Sequence, residues 1–369
     1  MTKVYYLAFS PINNICNENF FDGSITIYPN GEKGNIYYTS NFISDTNNEL
    51  FLKEYKKFIV DKTKKIAKLY NDDVEFLLFN DKKKITKLCE DIQNIKIIKG
   101  NKQETIELLN DKFRIRKEIN DILPTVDSKI VQGKYLKEYL NFTNEHFVVQ
   151  MKDGSGGDGT YLVRFGNIDD IEINKDVFYS VSKYIRNIPI NSTLVIGKKD
   201  FLELPSSVQL IEIFNNQFHY SGADFSYINC FTNKILKKLK KFNLKIAEFL
   251  KEKGYKGVIG IDYLIVNEDI FFMEFNPRFQ SSSFLLSLEL ENQCNSCLGE
   301  LHYIAITNQN FKNISLNDIN LSFLNSNAKN IFPNENRKIK NGYFKKNPNS
   351  VYRLIYNRSI FDQKYHEFF

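Results

Sequence analysis

Residues 150–161 read QMKDGSGGDGTY, and residues 257–283 read GVIGIDYLIVNEDIFFMEFNPRFQSSS. The first stretch is a glycine-rich loop between two apolar runs, FVV at 147–149 and YLV at 161–163, and predicts strand, loop, strand. A structural turn needs one or two glycines. Four stand here, at Gly154, Gly156, Gly157 and Gly159, where they free the backbone and let main-chain N–H groups approach phosphate oxygens. No GK[ST] follows, so the loop is not a P-loop. The second stretch predicts two strands joined at Asn267-Glu268-Asp269, which would bring Asp262 and Glu274 together on one face with Asn276 beside them. Carboxylates flanked by bulky apolar residues are costly to bury without a cation. Two carboxylates and an amide oxygen suit Mg²⁺, which takes hard oxygen ligands.

Working outward, residues 4–9 (VYYLAF), 74–79 (VEFLLF) and 95–99 (IKIIK) read as strands. A helix is expected over 48–70, where Leu52, Tyr55, Ile59, Ile66 and Leu69 recur at helical spacing. Strands alternating with helices predict a parallel sheet. The segment holds no GxGxxG, so a dinucleotide site is not supported. Helices are expected around 111–120 and 128–141, and strands over 177–185 and 192–197. A hairpin is expected to turn at Asn215-Asn216. An amphipathic helix should run over 232–253 and stop at Gly254. Residues beyond about 310 are polar and asparagine-rich, with an aromatic tail.

Composition bounds the class. The 369 residues, 42% hydrophobic and 25% charged, describe a globular chain of two or three subdomains. No apolar run reaches a membrane span, and the first residues lack a signal-peptide pattern. The net charge of +6 sits largely on lysine-rich helix faces such as 237–245, without a nucleic-acid motif. Five cysteines and no export pattern fit a reduced cytoplasmic setting. Cys294 and Cys297 form a lone CxxC in what patterns as a buried helix, with His302 the nearest further ligand, and are expected to be buried thiols.

The EFNPR motif, preceded by GxxGxDY and a hairpin, resembles the ATP-grasp superfamily of the carboxylate–amine ligase type over roughly residues 110–308. The fold this implies is mixed α/β and α+β. A Rossmann-like pre-ATP-grasp domain (1–108) would precede an ATP-grasp fold of two α+β subdomains, a lid with the glycine loop (109–186) and a metal-bearing subdomain (187–310), with a C-terminal extension over 311–369. The cofactors implied are ATP and Mg²⁺. The resemblance assigns the metal to Asp262, Glu274 and Asn276, and catalytic roles to Arg278 and Lys112. Nucleotide contacts fall to Lys112, Gln150, Lys152, Gly154, Ser155, Gly156, Gly157, Gly159, Thr160, Lys183, Tyr184 and Ile185.

Two positions depart from the family pattern. Gln150 stands where many members carry a phosphate-binding Lys, a role that Lys152 could take instead. Lys183 stands where many place a Glu. The reaction implied joins a carboxylate to an amine through an acyl phosphate, with an amino acid or short peptide as carboxylate. A carrier-protein thiol as acceptor and a nucleotide-binding regulatory protein are the rival readings. A homodimer is left open, and no nucleic-acid or membrane partner is expected.

Overall fold

The computed structural model describes residues 3–8, 20–26, 36–38, 49–70, 74–78, 96–98, 100–140, 144–152, 154, 156–165, 168–169, 171–311, 314–317, 319–327, 342–346, 351–356 and 359–361. Apolar β-branched and aromatic runs near the N-terminus form strands β1 (Lys3–Ala8), β2 (Gly23–Thr26), β3 (Ile36–Tyr38), β4 (Val74–Leu78) and β5 (Lys96–Ile97). All neighbours are parallel, in the order β3-β2-β1-β4-β5. Helix α1 (Glu49–Leu69) lies between β3 and β4 in the chain. Every side chain of β4 is buried, as expected for a strand with no solvent-facing side. The expected parallel sheet is present.

Helices α2 (Gln103–Asn110) and α3 (Lys112–Asn120) come next, separated by Asp111. The Asp111 carboxylate accepts the N–H groups of Phe113 and Arg114 and so caps α3. The helix expected over 128–141 is shorter. Residues Lys129–Gln132 are strand β6, and helix α4 covers only Gly133–Leu140. Pairing of Ile130 with Ser180 outweighs the local helical pattern there.

The chain continues through β7 (Phe147–Met151), β8 (Thr160–Val163), β9 (Phe178–Lys183), β10 (Ile188–Ile196), β11 (Phe201–Phe214) and β12 (Gln217–Asp224). Asn215 and Asn216 both have positive φ, 48° and 61°, which suits a hairpin turn matched to strand twist. Helix α5 (Asn233–Glu252) follows and stops before Gly254, which sits at φ 72°. Strands β13 (Gly257–Val266) and β14 (Asp269–Asn276) form the expected hairpin. Helices α6 (Ser283–Cys294) and α7 (Leu298–Ile306) follow, then strands β15 (Ser322–Asn327), β16 (Gly342–Lys346) and β17 (Val351–Tyr356).

Strands β6 to β17 share one sheet, with the main order β14-β13-β10-β11-β12-β8-β7-β9-β6. Period 2 along β13 sends Ile259, Ile261 and Tyr263 into a core with Leu239, Phe242 and Ile246 of α5, while Val258 packs with Leu286 and Leu301 of the last two helices. Asp262 belongs to the second set of positions. The polar C-terminal segment adds β15 to the free edge of β12, and buried Asp224 anchors the chain after β17 through Ser359 Oγ and the N–H groups of Ile360 and Phe361.

The CxxC is not inside one helix. Cys294 ends α6, Asn295 turns left-handed at φ 49°, and Cys297 is the N-cap of α7. Cys297 is buried and Cys294 half-buried. His302 Nδ1 accepts the Val258 N–H at 2.9 Å, and burial holds its pKa down at about 4. Among the described residues no group of three His, Cys, Asp or Glu side chains is placed to hold a metal ion. No described helix is long and apolar enough to cross a membrane.

Candidate active site

A cavity of about 210 Å³ opens between the β7–β8–β9 region and the β11–β10–β13–β14 face. One wall is apolar, with Val148, Ile185, Ile211, Ile213 and Val266. The floor carries Lys112, Gln150, Asp262 and Glu274.

The floor follows from strand register. Asp262 stands directly opposite Glu274, and Gly260 opposite Asn276. Cross-strand partners and residues two apart share a face, so the two carboxylates and Asn276 are brought together as their spacing predicted. A bulge follows the Asp262 pair and leaves Met273 without a cross-strand partner. The freed Met273 carbonyl accepts Arg116 Nε at 2.8 Å.

Asp262 is surrounded by amides. Its Oδ1 accepts Asn191 Nδ2 at 2.7 Å and Gln209 Nε2 at 2.8 Å, and its Oδ2 accepts Asn276 Nδ2 at 2.9 Å. Burial, then the charge of Glu274, raise its pKa to about 7. Glu274 Oε2 lies 2.9 Å from Lys112 Nζ, itself only 7% exposed. Burial lowers the pKa of Arg278, and Asp262 and Glu274 oppose that shift. Arg278 donates from Nη2 to Asn276 Oδ1 at 3.0 Å and from Nη1 to the Phe279 carbonyl at 3.1 Å. Asn276 therefore shows its nitrogen to Asp262 and its oxygen to Arg278. The donor set fits a hard divalent cation through Asp262 and Glu274, and Asn276 would join after turning its amide over.

Gly154, Gly156, Gly157 and Gly159 all have positive φ. Of these four glycines, Gly157 lines the cavity. A Cβ there would stand 2.0 Å from the Phe218 carbonyl oxygen, so close docking on β12 requires glycine. Tyr220 N–H also donates to the Gly156 carbonyl at 3.0 Å. Ser155 lies outside the described residues. Thr160 lines the cavity, and its Oγ1 accepts Gln150 Nε2 at 3.3 Å.

Lys183, Tyr184 and Ile185 line the opposite end, where the chain leaves β9 for β10. Lys183 Nζ pairs with Glu145, and Tyr184 N–H holds the His146 carbonyl at 2.8 Å. Lys152 is half exposed, with Nζ 2.9 Å from Asp111 Oδ2, and is not among the residues lining the cavity. Sequence reasoning missed Asn191, Gln209 and Arg116. Gln209 alternates with apolar residues in VQLI, a usable signal. Asn191 falls at the edge of an apolar strand, and Arg116 looks like any charge on a basic helix.

Residues 109–282 match the family model described as an ATP-grasp domain. No curated protein matches the chain. Among solved structures, N5-carboxyaminoimidazole synthetase from Staphylococcus aureus complexed with ADP is 14% identical, with TM-score 0.64, and the match covers 100% of this chain and 96% of that one. A biotin carboxylase–β-γ-ATP complex from Campylobacter jejuni is 13% identical, with TM-score 0.67, covering 96% of this chain and 87% of that one. The biotin carboxylase domain of the 2-oxoglutarate carboxylase from Hydrogenobacter thermophilus, in complex with MgADP, ADP and bicarbonate, is 15% identical, with TM-score 0.65 and coverage of 96% and 86%. Residues 109–282 thus match an ATP-grasp domain, and the chain as a whole shares its fold with these solved structures.

Proposed function

We propose that this protein is an ADP-forming, ATP-dependent carboxylate–amine ligase acting on small molecules, with an amino acid or short peptide as the carboxylate. The observation that carries the reading is the Asp262–Glu274 pair on the floor of a cavity whose other side is the docked glycine loop. The ATP-grasp match and the nucleotides in the similar structures support it.

The apolar wall, with Tyr184 and Ile185, would take the adenine, and the floor the phosphates. Asp262 and Glu274, with Asn276, would hold Mg²⁺, which when bound neutralises phosphate charge. Lys112 and the loop amides, Gly157 foremost, would position the γ-phosphoryl group, because phosphoryl transfer depends mainly on positioning and charge. The substrate carboxylate attacks that phosphorus, its P–O bond to ADP breaks, and an acyl phosphate forms. The amine then attacks the acyl carbon and phosphate leaves. Arg278 would stabilise the oxyanion of that second step. The loop, resting on β12, would keep water from the acyl phosphate.

The test is ADP release by the full chain with Mg·ATP, a panel of amino acids and small carboxylates, and hydroxylamine as trap. ADP with a hydroxamate is the expected result, and AMP would overturn the mechanism. Turnover only with a phosphopantetheine-bearing protein would move the acceptor from an amine to a carrier thiol.

A further inference from the structure

Arg116 is a buried cation that the reading above leaves without a task. It stands one turn after Lys112 on α3 and is 7% exposed. Among the described residues its three hydrogen-bond partners are neutral: the Met273 carbonyl at 2.8 Å from Nε, Ser180 Oγ at 3.4 Å from Nη1, and Gln150 Oε1 at 2.6 Å from Nη2. The nearby carboxylate, Glu274, gives its close contact to Lys112 instead. A guanidinium has five donors, so two remain unspent among the described residues. Burying such a charge without a carboxylate is costly unless a ligand anion completes it.

Gln150, 9% exposed, lies between Arg116 and the cavity. A guanidinium only donates, so the amide must turn its oxygen to Arg116 and its NH₂ edge to Thr160 and the cavity. We propose that Arg116 supplies the positive charge for the phosphate end of this cavity and acts through Gln150, whose NH₂ edge it aims at a phosphate oxygen. This rests on the nucleotide reading given above. Arg116 is then a positioning residue and Gln150 the contacting one. A charge behind the amide polarises its N–H groups and strengthens the bond they give an anion.

Gln150→Glu tests this directly. Glutamate is nearly isosteric and would form a buried ion pair with Arg116, which keeps or raises the melting temperature. It would also cancel the charge and remove the donor. Expected is a loss of about tenfold or more in affinity for Mg·ATP and Mg·ADP, with adenosine binding unchanged. Phosphate affinity left intact in Gln150→Glu overturns the proposal, as does an equal loss for adenosine; a purely structural Arg116 would show itself in a folded Arg116→Met that keeps its nucleotide affinity, which also overturns it. Arg116→Met should weaken both nucleotides and spare adenosine. Adding Gln150→Lys should restore them, because the cation returns one shell nearer the ligand, and a folded double variant as weak as Arg116→Met also counts against the proposal. Wild-type protein that binds neither ATP nor ADP would remove the nucleotide reading and this inference together. Wild-type binding with an unimpaired Gln150→Glu would remove the inference alone.

Discussion

Asp262 and Glu274 are direct partners across the β13–β14 ladder, and burial, then the charge of Glu274, raise the pKa of Asp262. Like charges so placed are unfavourable unless a cation joins them. Glu274→Ala should therefore lower ADP release more than tenfold, about 1.4 kcal/mol or more of transition-state stabilisation. Retention of more than about a tenth of wild-type turnover would sink the metal assignment.

The lysines near the cavity should separate by burial. Lys112 is buried against Glu274, whereas Lys152 is half exposed against Asp111. Exposed ion pairs contribute about 0–1 kcal/mol. Lys152→Ala should keep Mg·ATP affinity within about threefold, and Lys112→Met should reduce it at least about tenfold, as measured by calorimetric titration. Equal losses would return the phosphate role to Lys152.

Two loop glycines differ in what surrounds them. A Cβ on Gly157 meets the Phe218 carbonyl, whereas one on Gly156 meets nothing within 4 Å, although both have positive φ. Gly156→Ala should cost about 1 kcal/mol of backbone strain. Gly157→Ala should also push the loop off β12, with a larger stability loss and a fall in turnover. Denaturant unfolding of the two variants, set beside their ADP release, checks the order.

His302 predicts an acid-sensitive fold. It is buried, accepts the Val258 N–H, and has its pKa depressed from 6.5 to about 4. The unfolded chain binds the proton more tightly, so this contribution is complete above about pH 6.5 and is lost as pH falls through about 4. The full loss is on the order of 3 kcal/mol. His302→Asn, whose Oδ1 can accept the same N–H, should flatten the stability slope between those pH values. An unchanged slope in urea titrations would place the acid sensitivity elsewhere.

The two halves of the site differed in how much the sequence revealed. The β13–β14 hairpin was legible because period 2 and a polar turn fix which residues share a face, and that was enough to join Asp262, Glu274 and Asn276. The glycine loop was legible because its density of glycine has few other uses. The misread helix over 128–141 shows the limit of local pattern, since β6 exists only because β9 offers it a partner. The broken CxxC shows the same limit, since Asn295 ends α6 between the two cysteines.

The sequence by itself determined the parallel N-terminal sheet, the β13–β14 hairpin and the glycine-rich loop, because each follows from local periodicity or backbone freedom. Only the tertiary structure decided where the charges act. It turned Lys152 toward Asp111, brought Asn191 and Gln209 onto Asp262 from two other strands, and buried Arg116 behind Gln150. The physical reason is that a long side chain's charge takes effect through the dielectric and partners around its tip, which are set by residues distant in the chain.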